Sequence, residues 1–267
     1  MNLATLTGLP FARQLSIIRR DRVALSVWGT AVGSWATIFL WTESPYSVYL
    51  GHSDLGGVFA AAQFLPLASL FLLGWSLMVL AMMLPSALPL VNEYRRRMAG
   101  TPVRRSLTTS LIAGAAGVWV PFGIAMYFLD LGIHRASELP PLQGNVWVLG
   151  FSSLALAGTY QFTRRKYEFL TDCCYPSDLL QAHSHENLTE GGAFRTGLSY
   201  GKASMGSHWA LMLLMFSLAL RSFPLMLLLS SAMAVEHESK LGPRVRLPLG
   251  VAILVLAVYL GTVGLGT

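Results

Sequence analysis

The sequence predicts an all-α fold, namely a polytopic transmembrane helical bundle of about seven helices with a cytoplasmic N-terminus. Of the 267 residues, 54% are apolar and only 12% are charged, whereas soluble domains carry about 25% charged residues. The apolar residues fall in runs close to the ~20 residues that cross a hydrocarbon core as a helix. Lys and Arg gather in alternate connections between these runs, which is the pattern that orients membrane proteins.

Seven apolar segments are the candidate helices, and the sixth of them is the shortest. It begins beside Pro224, and helices accept proline in their first turn. A re-entrant pair that does not cross the bilayer fully is the alternative for this part of the chain. The segments cover residues 23–41, 67–91, 107–129, 146–162, 201–220, 223–237 and 247–265.

The distribution of cations predicts the orientation of the bundle. With the N-terminus inside, all of the 19 Lys and Arg residues except Arg135 and Arg221 lie in cytoplasmic parts of the chain. Merging the fifth and sixth segments would move the last cluster to the other side, so the bias favours seven helices over six. The net charge of +6 is therefore assigned to loops that face anionic lipid and not to nucleic-acid binding. The clusters are Arg13, Arg19, Arg20 and Arg22; Arg95, Arg96, Arg97, Arg104 and Arg105; Arg164, Arg165, Lys166, Arg195 and Lys202; and Lys240, Arg244 and Arg246.

A simple domain organisation follows from these segments. We expect residues 1–22 to form a cytoplasmic segment without a cleavable signal peptide, and residues 23–267 to form a single transmembrane helical domain. A cytoplasmic loop at about 163–200 is expected to contain two short amphipathic pieces. Because Cys173 and Cys174 are adjacent in this loop, the sequence does not predict a disulfide framework.

The second segment combines soft sulfur atoms with a predicted kink. Pro85 removes a backbone hydrogen bond, which should bend the helix and expose carbonyl groups near residue 81. Met78 and Met82 lie one helical turn apart, and Met83 follows directly. Thioethers bind Cu(I), but Met also fills gaps in apolar packing. Both interpretations are open from the sequence.

The fifth segment carries a histidine near its beginning. Met205, His208 and Met212 fall at positions i, i+3 and i+7, so they share one face of a helix. Ser204 lies one turn before His208. A histidine at or inside a membrane is costly and usually faces protein or water. We therefore expect His208 to be either a hydrogen-bonded packing residue or a metal ligand or proton relay.

Further polar candidates lie at the end of the sixth segment and in the loop. Glu236 is either solvated at the inner rim, paired with Lys240 or Arg244, or turned into the bundle as a ligand or hydrogen-bond partner. The pair Cys173-Cys174 and the motif His183-x-His185-Glu186 are potential metal ligands. Both lack the ligand spacing of a structural zinc site.

Four stretches of the chain carry a family resemblance over about residues 70–265, namely residues 80–86, 157–163, 197–212 and Glu236. Together they resemble a bacterial family of predicted metal-binding integral membrane proteins, domain of unknown function 2182. That family typically carries cysteines at the positions of Ser204, Ser207 and His208. It also has two cysteines after the Tyr-Gln element, where this chain has Phe169 and Cys173.

The resemblance implies a metal-binding protein of a bacterial membrane, which we expect to be the inner membrane. The soft Met, His and Cys candidates then predict that it binds or handles a soft metal ion such as copper, for delivery or for sequestration. Because most of the family's cysteines are replaced, either softer mixed ligands rebuild the site or the site is lost while the scaffold persists. Of the family's metal set only Cys173 is retained. The candidate ligands of this hypothesis are Met82, Met83, Cys173, Met205 and His208, supported by Glu236.

A non-catalytic accessory or assembly subunit of a larger membrane complex is the competing hypothesis. The expected partners are then the lipid bilayer and other membrane subunits, which would dock on small-residue helix faces such as residues 114–117. Ordinary helix packing is the alternative for that patch. The sequence contains no phosphate-binding loop, nucleophile elbow or H-E-x-x-H motif, so we expect no enzyme.

The predicted topology can be tested with reporter tags. Fusions in the connection at residues 95–105 and in the stretch around Lys240 should both report the cytoplasm, because both carry a cluster of cations. Tags on opposite sides of the membrane would contradict the seven-helix arrangement.

Overall fold

The fold comes from a computed structural model, which describes residues 22–44, 64–137, 147–182, 189–215, 217, 222–237 and 242–265. These residues form eleven helices and no strand. In chain order the helices are α1 (Arg22–Thr42), α2 (Phe64–Ser86), α3 (Leu88–Arg97), α4 (Arg104–Gly117), α5 (Trp119–Ser137), α6 (Trp147–Tyr160), α7 (Arg164–Cys174), α8 (Pro176–Ala182), α9 (Glu190–Leu214), α10 (Phe223–Glu236) and α11 (Gly242–Leu265).

The all-α prediction is confirmed for the described residues, and four helical stretches are long and apolar enough to cross a membrane. They are Arg22–Thr42, Leu65–Ser86, Arg104–Leu129 and Gly242–Gly264, which match the first, second, third and seventh predicted segments. The helix Phe223–Glu236 is apolar but shorter. The number of crossings and the side on which the N-terminus lies stay predictions, and most of the N-terminal cations lie outside the described residues.

The fifth helix begins earlier than the sequence suggests. Apolarity alone places its start near Gly201, but α9 begins at Glu190 and runs for 25 residues. Thr189 caps it, since its hydroxyl accepts a hydrogen bond from the backbone N–H of Gly192 at 3.0 Å. The additional turns are rich in small residues that pack against α4, so tertiary contact stabilises a stretch that is not strongly apolar. The loop predicted at about 163–200 therefore contains α7, α8 and the first turns of α9.

Helix α9 is the central element, because it packs against α4, α6, α7 and α10. Its closest approach is to α4, where glycines bring the two backbones together. A Cβ atom on Gly197 would overlap the carbonyl oxygen of Leu111, and one on Gly114 would overlap the carbonyl oxygen of Phe194. Gly114 of the predicted small-residue patch is thus used for packing within the chain. The contact holds the buried face of α9, which carries His208, in a fixed position.

The end of α2 shows how the chain handles Pro85. The helix ends at Ser86, and α3 begins two residues later at Leu88. The Ser86 hydroxyl donates to the carbonyl of Met83 at 2.8 Å, and the hydroxyl of Tyr200 in α9 donates to the carbonyl of Ser86 at 3.0 Å. Side chains therefore satisfy carbonyl groups at a point where helical hydrogen bonding is interrupted.

The glycine contact between α4 and α9 predicts a clear difference between two alanine substitutions. Gly197→Ala should lower stability by about 1–3 kcal/mol, because the new methyl group overlaps backbone atoms that cannot move aside. Gly117→Ala, at a position where a Cβ would meet no described atom within 4 Å, should be neutral or stabilising by about 0.5–1 kcal/mol. Thermal unfolding in detergent, followed by circular dichroism, measures both. Equal midpoints for the two variants would contradict the described α4–α9 packing.

Candidate metal centre

Three helices bring ionisable side chains to one buried location. Helix α7 contributes Lys166 and two thiols, α9 contributes His208, and α10 contributes Glu236 with His237 directly after it. All of these side chains are buried. We call this group the buried polar cluster; its members are Lys166, Cys173, Cys174, His208, Glu236 and His237.

A fully buried ion pair lies at the middle of the cluster. Lys166 Nζ donates to Glu236 Oε2 at 2.7 Å, and both side chains are 0% exposed. The pair connects α7 to the end of α10, across 70 residues of sequence. Burial lowers the pKa of Lys166, and the adjacent Glu236 carboxylate opposes that shift. Removal of one partner would leave an uncompensated buried charge, which typically costs about 3–5 kcal/mol.

The hydrogen bonds around His208 define which of its ring nitrogens is available. The Ser207 hydroxyl donates to the carbonyl of Ser204 at 2.9 Å and lies 2.6 Å from His208 Nδ1. In the tautomer with its hydrogen on Nδ1, the imidazole donates to Ser207 and its Nε2 carries the lone pair. His208 Nε2 then points towards Glu236. It lies 3.4 Å from Glu236 Oε2, within ion-pair distance but without the alignment of a hydrogen bond. Metal-binding histidines commonly have this arrangement, in which one nitrogen is held as a donor and the other is left for the metal.

Four buried polar atoms of the cluster have no hydrogen-bond partner among the described residues. They are His208 Nε2, Glu236 Oε1 and both ring nitrogens of His237. Buried polar atoms are normally paired, so four such atoms on three neighbouring side chains are unusual. The rings of His208 and His237 are stacked, with centroids 4.4 Å apart and planes 13° from parallel. Since a nitrogen lone pair lies in the plane of its ring, one ion could bind both rings only after one of them rotated.

The two cysteines line the α7 side of the cluster as buried thiols. Cys174 Sγ donates to the carbonyl of Glu236 at 3.5 Å and to that of His237 at 3.7 Å, so it lies against the end of α10. Burial raises the pKa of Cys173 well above its usual range, and its thiol is in hydrogen-bond contact with the Ser207 hydroxyl. Ser207 thus connects Cys173 with His208.

The structure brings together some of the sequence-predicted ligands and separates others. His208 and Glu236 are adjacent, and Cys173 is connected to them through Ser207. Met83 Sδ lies 4.0 Å from the hydroxyl of Ser204, one turn before His208. It also lines a small pocket of about 20 Å³ between α2, α4, α5 and α9.

The remaining predicted ligands lie elsewhere. Met82 is part of the apolar core, as Met83 also is, and Met205 packs against that core. This agrees with the gap-filling role that the sequence left open for such methionines. The motif His183-x-His185-Glu186 lies outside the described residues.

Sequence reasoning missed Lys166 and gave no role to His237. From the sequence, Lys166 was assigned only to the cytoplasmic cations, and Glu236 was paired, in one of its alternatives, with Lys240 or Arg244. The structure instead pairs Lys166 with Glu236. The spacing of residues along α7 did indicate that Lys166 is buried. Lys166, Leu170, Cys173 and Cys174 are the buried residues of α7 and share one helical face, so Lys166 extends the face of the thiols.

The donor types of the cluster suit copper better than a hard cation. Thiolates and imidazoles are the ligands that Cu(I) accepts, whereas magnesium and calcium prefer oxygen. In the part of the chain that the structure describes, no three His, Cys, Asp or Glu side chains converge as a finished metal site. The cluster therefore has suitable atoms in reach of one another, but not in a coordination geometry.

A comparison with known families supports a role in copper handling. The model of the PpoB2 family, described as a copper chaperone, matches residues 72–260. The chain belongs to this copper chaperone family. All members of the buried polar cluster lie inside the match. The expectation of a copper-handling family is thereby confirmed. The name of the family that the sequence resembles, and the replacement of its cysteines, stay predictions.

Searches of curated proteins and of solved structures found no match to this chain.

The burial of the thiols predicts their reactivity. Cys173 and Cys174 are 3% and 7% exposed, so a maleimide should alkylate both far more slowly in the folded protein than after denaturation. Mass spectrometry over a time course would show this. Rapid labelling of the native protein would contradict the described position of α7.

Proposed function

We propose that this protein is an integral protein of the bacterial inner membrane that binds Cu(I) at the buried polar cluster, for delivery or sequestration. Membership of the copper chaperone family supports the metal, and four helical stretches of sufficient length and apolarity support membrane insertion. We propose no catalytic role.

The observation that carries the proposal is the set of four buried polar atoms without a hydrogen-bond partner among the described residues. They lie on His208, Glu236 and His237, beside the thiols of α7. Leaving such atoms unpaired costs free energy that a bound ion can recover. His208 is the central ligand in this proposal, because its Nδ1 is held by Ser207 and its Nε2 faces the cluster.

The role of the other residues follows from their distances. Cys173 supplies a soft ligand close to Ser207, and Glu236 supplies negative charge at 3.4 Å from the imidazole. In this proposal Met83, whose sulfur lies 4.0 Å from the Ser204 hydroxyl, contacts an ion on its way to His208. Met82 and Met205 serve the apolar core in this proposal.

A non-catalytic accessory or assembly subunit is the second candidate. The observation that favours it is the Lys166–Glu236 pair, which neutralises the carboxylate without a metal and joins α7 to α10. In that case the cluster is a structural clamp, and partner helices bind elsewhere on the bundle. Co-purification after gentle solubilisation distinguishes the two candidates, since a lone monomer that loads copper supports the chaperone.

Replacement of His208 tests the copper proposal directly. The purified protein is loaded with Cu(I) under anaerobic, reducing conditions, washed with a weak chelator and analysed for copper. Wild type should retain near-stoichiometric copper, and His208→Ala should lose most of it, because the ring with the available nitrogen is gone. His134→Ala, which removes an imidazole from α5, is the matched control and should behave like wild type. Wild-type protein that stays empty after loading would contradict the proposal.

A further inference from the structure

We propose that the ammonium group of Lys166, paired with the carboxylate of Glu236, makes the centre selective for a monovalent over a divalent metal ion. This inference rests on the proposed copper function and adds to it the residue that sets the charge of the accepted ion. The argument uses the geometry of the ion pair and the charges around it.

The ion pair uses one oxygen of the Glu236 carboxylate and leaves the other without a hydrogen-bond partner among the described residues. Glu236 Oε2 accepts from Lys166 Nζ at 2.7 Å and lies 3.4 Å from His208 Nε2. Glu236 Oε1 has no hydrogen-bond partner among the described residues. An ion bound by Glu236 and His208 would therefore lie within a few ångströms of the lysine ammonium.

Within the ion pair the charges are balanced before an ion arrives. One carboxylate faces one ammonium, and the thiols of α7 add no charge as long as they are protonated. Arg246 of α11 lies close by, since it donates to the carbonyl of Thr163 at 2.9 Å and acts on Lys166 as a second positive group. The charge of an incoming ion therefore adds to the positive charge of Arg246, by one unit for a monovalent ion and by two units for a divalent ion.

The loss of metal affinity that the Lys166 ammonium causes depends on the charge of the ion. Coulombic repulsion from a fixed ammonium is proportional to the charge of the incoming ion. The free-energy cost of this repulsion is therefore twice as large for Zn(II) as for Cu(I). The factor by which the repulsion weakens Zn(II) binding is then the square of the factor for Cu(I). Burial strengthens this effect because little water screens the charges.

Lysine suits this role better than arginine would. Its ammonium is a compact point charge on a flexible stem, whereas guanidinium grips a carboxylate with two parallel hydrogen bonds. Lys166 makes a single contact to Oε2, and that contact can lengthen when an ion reaches Glu236. Lys166 thus neutralises the Glu236 carboxylate and still lets an ion reach it.

The test compares metal affinities of charge variants by competition with Cu(I) and Zn(II) chelators. Lys166→Met should tighten Cu(I) binding by at least about tenfold and Zn(II) binding by the square of that factor, about 100-fold or more. Arg165→Met is the matched control. It removes the same charge from the neighbouring position of α7, but Arg165 is exposed, so both affinities should stay within about threefold of wild type. Equal changes for the two metals in Lys166→Met would overturn the proposal.

Two further variants test whether the gain in metal affinity depends on the Glu236 carboxylate and on the positive charge at position 166. The double variant Lys166→Met with Glu236→Gln should lose the gain for both metals, because no carboxylate remains to attract the ion. Lys166→Arg keeps the charge and should keep the preference for Cu(I). A gain that persists in the double variant would overturn the proposal.

Loss of folding is also informative. If Lys166→Met folds only with metal, the shift in melting temperature is measured instead, and Zn(II) should stabilise this variant more than it stabilises wild type. A variant that neither metal can fold would overturn the proposal, since an added cation should replace the lost ammonium. Failure of wild type to bind Cu(I) would instead count against the copper function, and the comparison among the Lys166 variants would still show whether the lysine excludes divalent ions.

Discussion

The buried ion pair between Lys166 and Glu236 is the constraint on which the candidate centre depends. Two opposite charges at 0% exposure are tolerated only when they face each other closely, because each loses its hydration on burial. Their 2.7 Å contact ties the loop helix α7 to the end of α10. His208 and His237 are stacked beside the pair, so its geometry also determines which ring atoms are left for a metal.

The scaffold around the pair holds it by a different kind of contact. Glycines let the backbones of α4 and α9 touch, and this fixes the face of α9 that carries Ser204, Ser207 and His208. Tyr200 on the same helix binds the carbonyl of Ser86, where α2 ends after its proline. Small residues and the hydrogen bond of Tyr200 thus position the centre, while the larger apolar side chains fill the core.

Much of the fold could be predicted from local patterns, but the centre only in part. The long apolar helices appear where hydropathy places them, and His208 and Glu236 were recognised as candidates. The start of α9 was missed because small, weakly apolar residues gain their helical stability from α4. Lys166 was missed because a lysine in a basic triplet resembles a solvated cation. Only the arrival of a carboxylate from 70 residues away makes its burial favourable.

By itself the sequence determined the helical fold class, the apolar segments and the residues that share a helical face, since all of these depend on neighbours within one or two turns. The tertiary structure decided which polar side chains meet. It paired Lys166 with Glu236, placed Cys173 beside Ser207, and left Met82 and Met205 in the core. The physical reason is that the cost of burying a charge or an imidazole depends on its partners, and those partners come from helices that are distant in the chain.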